Sequence, residues 1–195
     1  MMVKICGITN LEDALAAVDS GATALGFNFY PKSPRYITPL AAAEIVSKLP
    51  AWVKKVGVFV NAETEEAARI AGLDVVQLHG DESPASIPAG IRTWKAFRVT
   101  PEFDLGNLDA WPVEAFLLDS PSAVYGGSGN TFDWRLARAA GRKIILAGGL
   151  DASNVRAAIE QARPFGVDAC SRLESSPGRK DHHKVSQFIR AALKI

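Results

Sequence analysis

Only two cysteines occur in the 195 residues, Cys6 and Cys170, with no metal-type spacing and no further thiols to build a disulfide framework. That excludes a zinc ribbon or a stapled scaffold and predicts two free thiols in a reducing compartment. Charge of one sign is equally scarce in excess. The 22 Lys and Arg stand against 21 Asp and Glu, a net charge of +1, which argues against a nucleic-acid partner. No apolar run approaches a membrane span, and no signal-peptide layout opens the chain. The expectation is a cytoplasmic protein with no membrane partner. There is no GxGxxG, and the glycine-rich run Tyr125–Asn130 lacks the GK[ST] ending of a phosphate loop, so a nucleotide site is rejected. The vicinal His182 and His183 open a polar helix and are expected to be a solvated cap region, not ligands; no metal site is expected.

What is present is an ordinary globular composition, 48% hydrophobic and 22% charged, in a length suited to one domain with a sizeable core, spanning residues 1–195. Short β-branched runs recur along it. Strands are predicted over residues 3–9, 24–30, 54–60, 75–80, 93–99, 115–120, 143–150 and 167–171. Helices are predicted over 11–20, 39–49, 63–71, about 132–140, 153–162 and 180–194, with Asn10 and Thr38 as N-caps. Behind the fourth strand there is room only for a Pro-broken turn. Residues 100–112, behind the fifth, read poorly as a helix because of Gly106, Asn107 and scattered acids. Eight alternations of strand and crossover mean parallel strands with right-handed connections, so the expected fold is α/β, a (β/α)8 TIM barrel with weak or missing helices after strands 4 and 5. An open doubly wound sheet is the alternative, but no strand looks protected for an edge.

In such a barrel the chemistry sits at the carboxyl ends of the strands. Strand one, VKICG, carries Lys4 and Cys6 on one parity and Val3 and Ile5 on the other. A buried Lys needs a partner. Asp168, on the last strand and so adjacent once the barrel closes, is the expected one. Cys6 and Asp119, ending strands one and six, would face one another across the mouth, where a thiol and a carboxyl can act as base and acid. A cation such as Lys4 or Arg35 could lower the thiol's pKa; the bland alternative for Cys6 is a small buried hydrophobe. Gln77 and His79 share a parity at the end of strand four and are weaker candidates. Gly148 and Gly149 after strand seven, with Ser171 and Arg172 after strand eight, are parts of a phosphate site; the alternative is a steric need for glycine alone. Cys170 is expected to be a packed thiol.

The runs VKICGITN, GFNFYPKSPRY, GVFVN, VQLHGDE, LLDS with YGGSGNTFDW, ILAGGL and ESSPGRKD, in this order from Val3 to about Asp181, resemble the phosphoribosylanthranilate isomerase family of tryptophan biosynthesis. The resemblance implies a (β/α)8 barrel with a degenerate fifth helix. It implies an Amadori rearrangement of N-(5-phosphoribosyl)anthranilate to the carboxyphenylamino-deoxyribulose phosphate, with no metal or organic cofactor. It places the general base on Cys6, through KICG, and the general acid on Asp119, through LLD. It places a contact to the substrate carboxylate on Arg35, through SPR, and the phosphate on Gly148, Gly149 and residues 170–172. The small phosphosugar is the expected partner, with the chain a monomer or homodimer. One departure stands out. Where the family usually reads SSGVE, this chain has Cys170, Ser171, Arg172, Leu173 and Glu174. Arg172 either crowds the phosphate or adds a cation to it, and the cation is favoured.

Three other readings compete. The histidine-pathway aminoaldose isomerase has the same plan but uses Asp in place of Cys6. A non-catalytic phosphate-binding barrel would fit Arg172 but not an intact Cys6, Asp119 and Arg35. A Schiff-base aldolase would use Lys95 on strand five.

Overall fold

The computed structural model describes residues 1–120 and 133–194. Eight parallel strands close into a barrel: β1 Met2–Ile5, β2 Ala24–Asn28, β3 Lys54–Phe59, β4 Val75–Leu78, β5 Arg92–Arg98, β6 Ala115–Asp119, β7 Ile144–Leu146 and β8 Gly166–Ala169. The first and last strands pair in register, with Lys4 opposite Asp168 and Ile5 opposite Ala169. Around them lie α1 Leu11–Asp19, α2 Pro39–Val46, α3 Glu65–Ala71, α4 Arg135–Ala139, α5 Val155–Ala162 and, last in the chain, α6 His182–Leu193. Among the described residues no helix is long and apolar enough to cross a membrane.

The expected caps form. Asn10 Oδ1 accepts from Asp13 N at 2.9 Å, and Thr38 Oγ1 accepts from Ala41 N at 3.2 Å. The weak stretches behind β4 and β5 are 3-10 turns, Pro84–Ser86 and Leu105–Leu108. An aromatic cluster covers the barrel where the fifth helix is missing: Phe97 meets the Trp111 ring edge-on at 6.0 Å and the Phe103 ring at 5.7 Å.

Several boundaries differ from expectation. β1 stops at Ile5, short of Thr9, because Gly7 takes φ +75° and turns the chain out of the sheet. β7 and β8 also end before their predicted limits, so Gly148, Gly149 and Cys170 lie in the loops above the barrel. An antiparallel hairpin that periodicity does not reveal, β9 Glu174–Ser176 with β10 Arg179–Lys180, stands between β8 and α6. The glycine-rich run Tyr125–Asn130 lies outside the described residues.

Alternation along the strands sorts side chains into two sets. Outward residues such as Val3, Ile5, Leu25, Phe27, Leu78, Leu118 and Val167 pack against the helices. Inward residues form the barrel's own core: Met2, Ala24, Val56, Val75, Trp94, Ala115, Leu117 and Ile145 fill its lower part. The same inward parity continued upward delivers Lys4, Cys6, Gln77, Asp119, Asp168 and Cys170. An apolar floor therefore carries a polar ceiling, which is the site.

Candidate active site

Cys6, Asn28, Arg35, Gln77, His79, Asp119, Asp168 and Cys170 line one cavity of about 270 Å³ at the barrel mouth. Gly148, Gly149, Ser171 and Arg172 line an adjoining cleft of about 50 Å³, whose walls share Asp119, Asp168 and Cys170 with the first. All the sequence-derived candidates thus fall on two connected spaces.

Lys4 and Asp168 pair as expected, Nζ to Oδ1 at 2.9 Å, both buried. Burial pushes the Asp168 carboxyl up to about 7, with the Lys4 cation pulling the other way. Burial alone would depress the Lys4 ammonium, but the Asp168 and Cys6 charges beside it reverse the sign and hold it above its ordinary value. Gly26 makes this possible. A Cβ there would stand 2.7 Å from Cys6 Sγ and 3.1 Å from Lys4 Nζ, so the missing side chain is the room in which they meet.

Cys6 is buried, with a thiol pKa well below its ordinary value. The first cause is a hydrogen bond from the Cys170 thiol; burial opposes it, and the cations of Lys4 and Lys180 add to it. Strand parity is enough to place Lys4 beside the Cys6 thiol, but it gives no sign of the parts that Cys170 and Lys180 play. Lys180 reaches the site from β10. It donates to Glu174 Oε1 at 3.0 Å and to Cys170 O at 3.2 Å. Glu174 is also gripped by Arg35, through Nε at 2.8 Å and Nη2 at 2.7 Å. The Pro177-Gly178 turn is a visible hairpin signal, yet the strands beside it are too short to show alternation.

Opposite, Asp119 Oδ2 stands 3.5 Å from His79 Nε2. Gln77 Nε2 lies 3.0 Å from His79 Nδ1. With the Gln77 amide donating, the ring's proton sits on Nε2, facing Asp119. Gln77 Oε1 is then a buried acceptor with no partner among the described residues. A Cβ on Gly148, which has φ +85°, would collide with Asp119 Oδ1 and Ser120. The glycine's lack of a side chain therefore makes room for Asp119, besides any role toward an anion. Arg172 also has a partner: its Nη1 donates to Asp151 Oδ2 at 2.7 Å. The cation sits at the cleft wall beside a carboxylate, so it is not an isolated charge.

The structure bears on one competing reading and fills out one expectation. Lys95 has outward parity on β5, and its Nζ donates to Gly80 O and Glu82 Oε2, each at 2.7 Å, beneath the Trp111 ring. It does not line the cavity of Cys6 and Asp119 but a separate one, where Glu82 holds it, so that site lends the Schiff-base reading no support. His182 is more than a solvated cap: Asp181 caps α6 by accepting from Lys184 N at 3.1 Å, while His182 Nε2 binds Asp13 Oδ1 at 2.8 Å.

A closed (β/α)8 barrel with a thiol, an imidazole and carboxyl groups lining one cavity at its mouth is the class of protein that these observations define. Residues 3–191 match the family described as N-(5'phosphoribosyl)anthranilate (PRA) isomerase. The N-(5'-phosphoribosyl)anthranilate isomerase of Solibacter usitatus is 58% identical over 98% of this chain and 97% of its own length. The crystal structure of phosphoribosyl anthranilate isomerase from Thermotoga maritima has a TM-score of 0.91 at 47% identity, covering 100% of both chains. A structure of such an isomerase in complex with reduced 1-(o-carboxyphenylamino)-1-deoxyribulose 5-phosphate has a TM-score of 0.88 at 44% identity, again covering 100% of both. The chain belongs to the phosphoribosylanthranilate isomerase family and is an isomerase of tryptophan biosynthesis.

Proposed function

We propose that the chain converts N-(5-phosphoribosyl)anthranilate into 1-(2-carboxyphenylamino)-1-deoxyribulose 5-phosphate with Asp119 as general acid and Cys6 as general base. The observation that carries this is their placement: an acidified Cys6 thiol and Asp119 line one cavity from β1 and β6. Asp119 gives its proton to the furanose ring oxygen. The C1–O bond breaks as the anilino nitrogen forms a C=N bond. The Cys6 thiolate takes the proton from C2, and the electron pair left behind forms the C1=C2 bond of an enolamine. Loss of the enol proton and uptake of one proton at C1 give the ketone, so the proton count closes.

Arg35 stands at the wall of the cavity with Nε and one Nη bound to Glu174. Its remaining edge suits the anthranilate carboxylate. The Gln77 carbonyl oxygen suits a sugar hydroxyl, which would satisfy it. The phosphate fits the smaller cleft of Gly149, Ser171 and Arg172, with the Lys4–Asp168 pair beneath the sugar. Turnover of N-(5-phosphoribosyl)anthranilate, generated in place and followed by the decay of its fluorescence, tests this. Cys6→Ala and Asp119→Asn should each abolish the decay seen with the unaltered chain. Full activity in either variant would remove that residue from its role.

A further inference from the structure

Cys170 follows β8 as Cys6 follows β1. Ile5 pairs with Ala169 in register, and Cys6 N donates to Ala169 O at 2.9 Å, so the next rung sets the two cysteines side by side. Both thiols line the main cavity. Lys180 Nζ, fully buried, lies 3.8 Å from Cys170 Sγ as well as bonding Cys170 O and Glu174. An ammonium can only donate, and a thiol carries a single hydrogen. With Lys180 donating into Cys170 Sγ, that thiol's own hydrogen is directed away from it, and the Cys6 sulfur is the acceptor it meets. Gly7, at φ +75°, closes the space behind: a Cβ there would lie 2.8 Å from Cys170 Sγ.

We infer that Cys170 is a positioning residue for the isomerisation, its thiol aimed by Lys180 so as to donate a hydrogen bond that favours the thiolate form of Cys6. The inference rests on Cys6 being the base. It deepens that role, because nothing in the reaction itself calls for a second thiol. The titration directions agree: the mutual hydrogen bond raises Cys170 and lowers Cys6, while burial raises both thiols and the Lys180 cation lowers both, so the bond is what separates the pair. The other groups facing Cys6 are Lys4 from β1, Asp168 from β8, Arg35 from the loop after β2 and Lys180 from β10, with Asp119 across the cavity. None of these groups is itself altered when only Cys170 is changed, and Lys180 keeps its bonds to Glu174 Oε1 and to the backbone oxygen of residue 170 as anchors.

The test compares Cys170→Ala, which removes the donor, with Cys170→Ser, which keeps an O–H. Two profiles against pH are measured: kcat/KM for the isomerisation, and the rate at which iodoacetamide alkylates Cys6, read by peptide mass. In Cys170→Ala the acid limb of both profiles should move up by about one pH unit, a roughly tenfold loss at pH values below the limb, with the plateau above it unchanged. Cys170→Ser should restore most of the displacement. Acid limbs in Cys170→Ala that coincide with those of the unaltered chain in both profiles would overturn the inference and leave Cys6 as base untouched. A displaced alkylation limb with an undisplaced turnover limb would instead overturn the assignment of Cys6 as base, and with it the role given to Cys170.

Discussion

Replacing Lys4 by Met should expose the electrostatic cost of the barrel's polar ceiling, with a pH dependence that only a buried carboxylate can produce. Lys4 and Asp168 are both inside, 2.9 Å apart, and the Asp168 carboxyl titrates at about 7 even with the ammonium beside it. An unfolded Asp titrates at about 3.9. Its folded pKa is therefore raised, so stability falls as pH climbs from the unfolded value to the folded one. In the unaltered chain that loss ends near pH 7, where Asp168 has given up its proton. Without Lys4 the folded pKa climbs further, the proton is retained, and stability keeps falling by about 1.4 kcal/mol per pH unit. The difference between variant and parent should be small near pH 6, where Asp168 is neutral in both. It should grow by about 3 kcal/mol between roughly pH 7 and pH 9. Urea unfolding at these pH values measures it, in a Cys6→Ala background so that the neighbouring thiolate does not titrate. Adding Asp168→Asn should abolish the pH-dependent part, because the group that titrates is gone. A penalty that is the same at each pH, or that survives Asp168→Asn, would refute the reasoning.

Other outcomes follow from the same geometry. Gly148→Ala would place a methyl group against Asp119 Oδ1 and Ser120 at a φ of +85°; by displacing Asp119, the proposed acid, it should lower kcat by about 100-fold in the fluorescence assay. Asp13 is buried and accepts from Lys180 N at 2.8 Å, Asn10 Nδ2 at 2.7 Å and His182 Nε2 at 2.8 Å, tying α1 to the hairpin and α6. Asp13→Ala should cost about 2–3 kcal/mol by thermal or urea unfolding, because it leaves the buried Lys180 N–H without a partner and removes the bonds from Asn10 and His182. Burial works to raise the Asp13 pKa, but these bonds outweigh it and hold it low, so its contribution is present above the unfolded carboxyl range and is lost as pH falls through its folded pKa.

The hairpin of β9 and β10 is what couples these parts. Through Glu174 and Lys180 it links the Arg35 guanidinium to the thiols, and through Gly178 O, which accepts from Thr9 Oγ1 at 2.5 Å, it holds the loop after β1. A segment outside the barrel proper thus braces the loops that carry Cys6 and Arg35.

Much of this was readable in the one-dimensional chain, for definite reasons. Strand parity has a period of two, so Val3 and Ile5 against Lys4 and Cys6 told which side chains enter the barrel. Barrel closure makes the first and last strands neighbours, which was enough to pair Lys4 with Asp168. The alternation of strands and crossovers set the architecture, and helix-breaking residues told where a helix would be missing. What the tertiary structure alone decided were contacts whose partners lie far apart along the chain and follow no period. Lys180 rests on the sulfur of Cys170, Glu174 grips Arg35, Asp151 holds Arg172, and Gly148 leaves room for Asp119. Composition and spacing give the direction of a side chain from its strand. The partner it meets at the end depends on how loops and hairpin fold over the barrel mouth, and that is a property of three-dimensional packing.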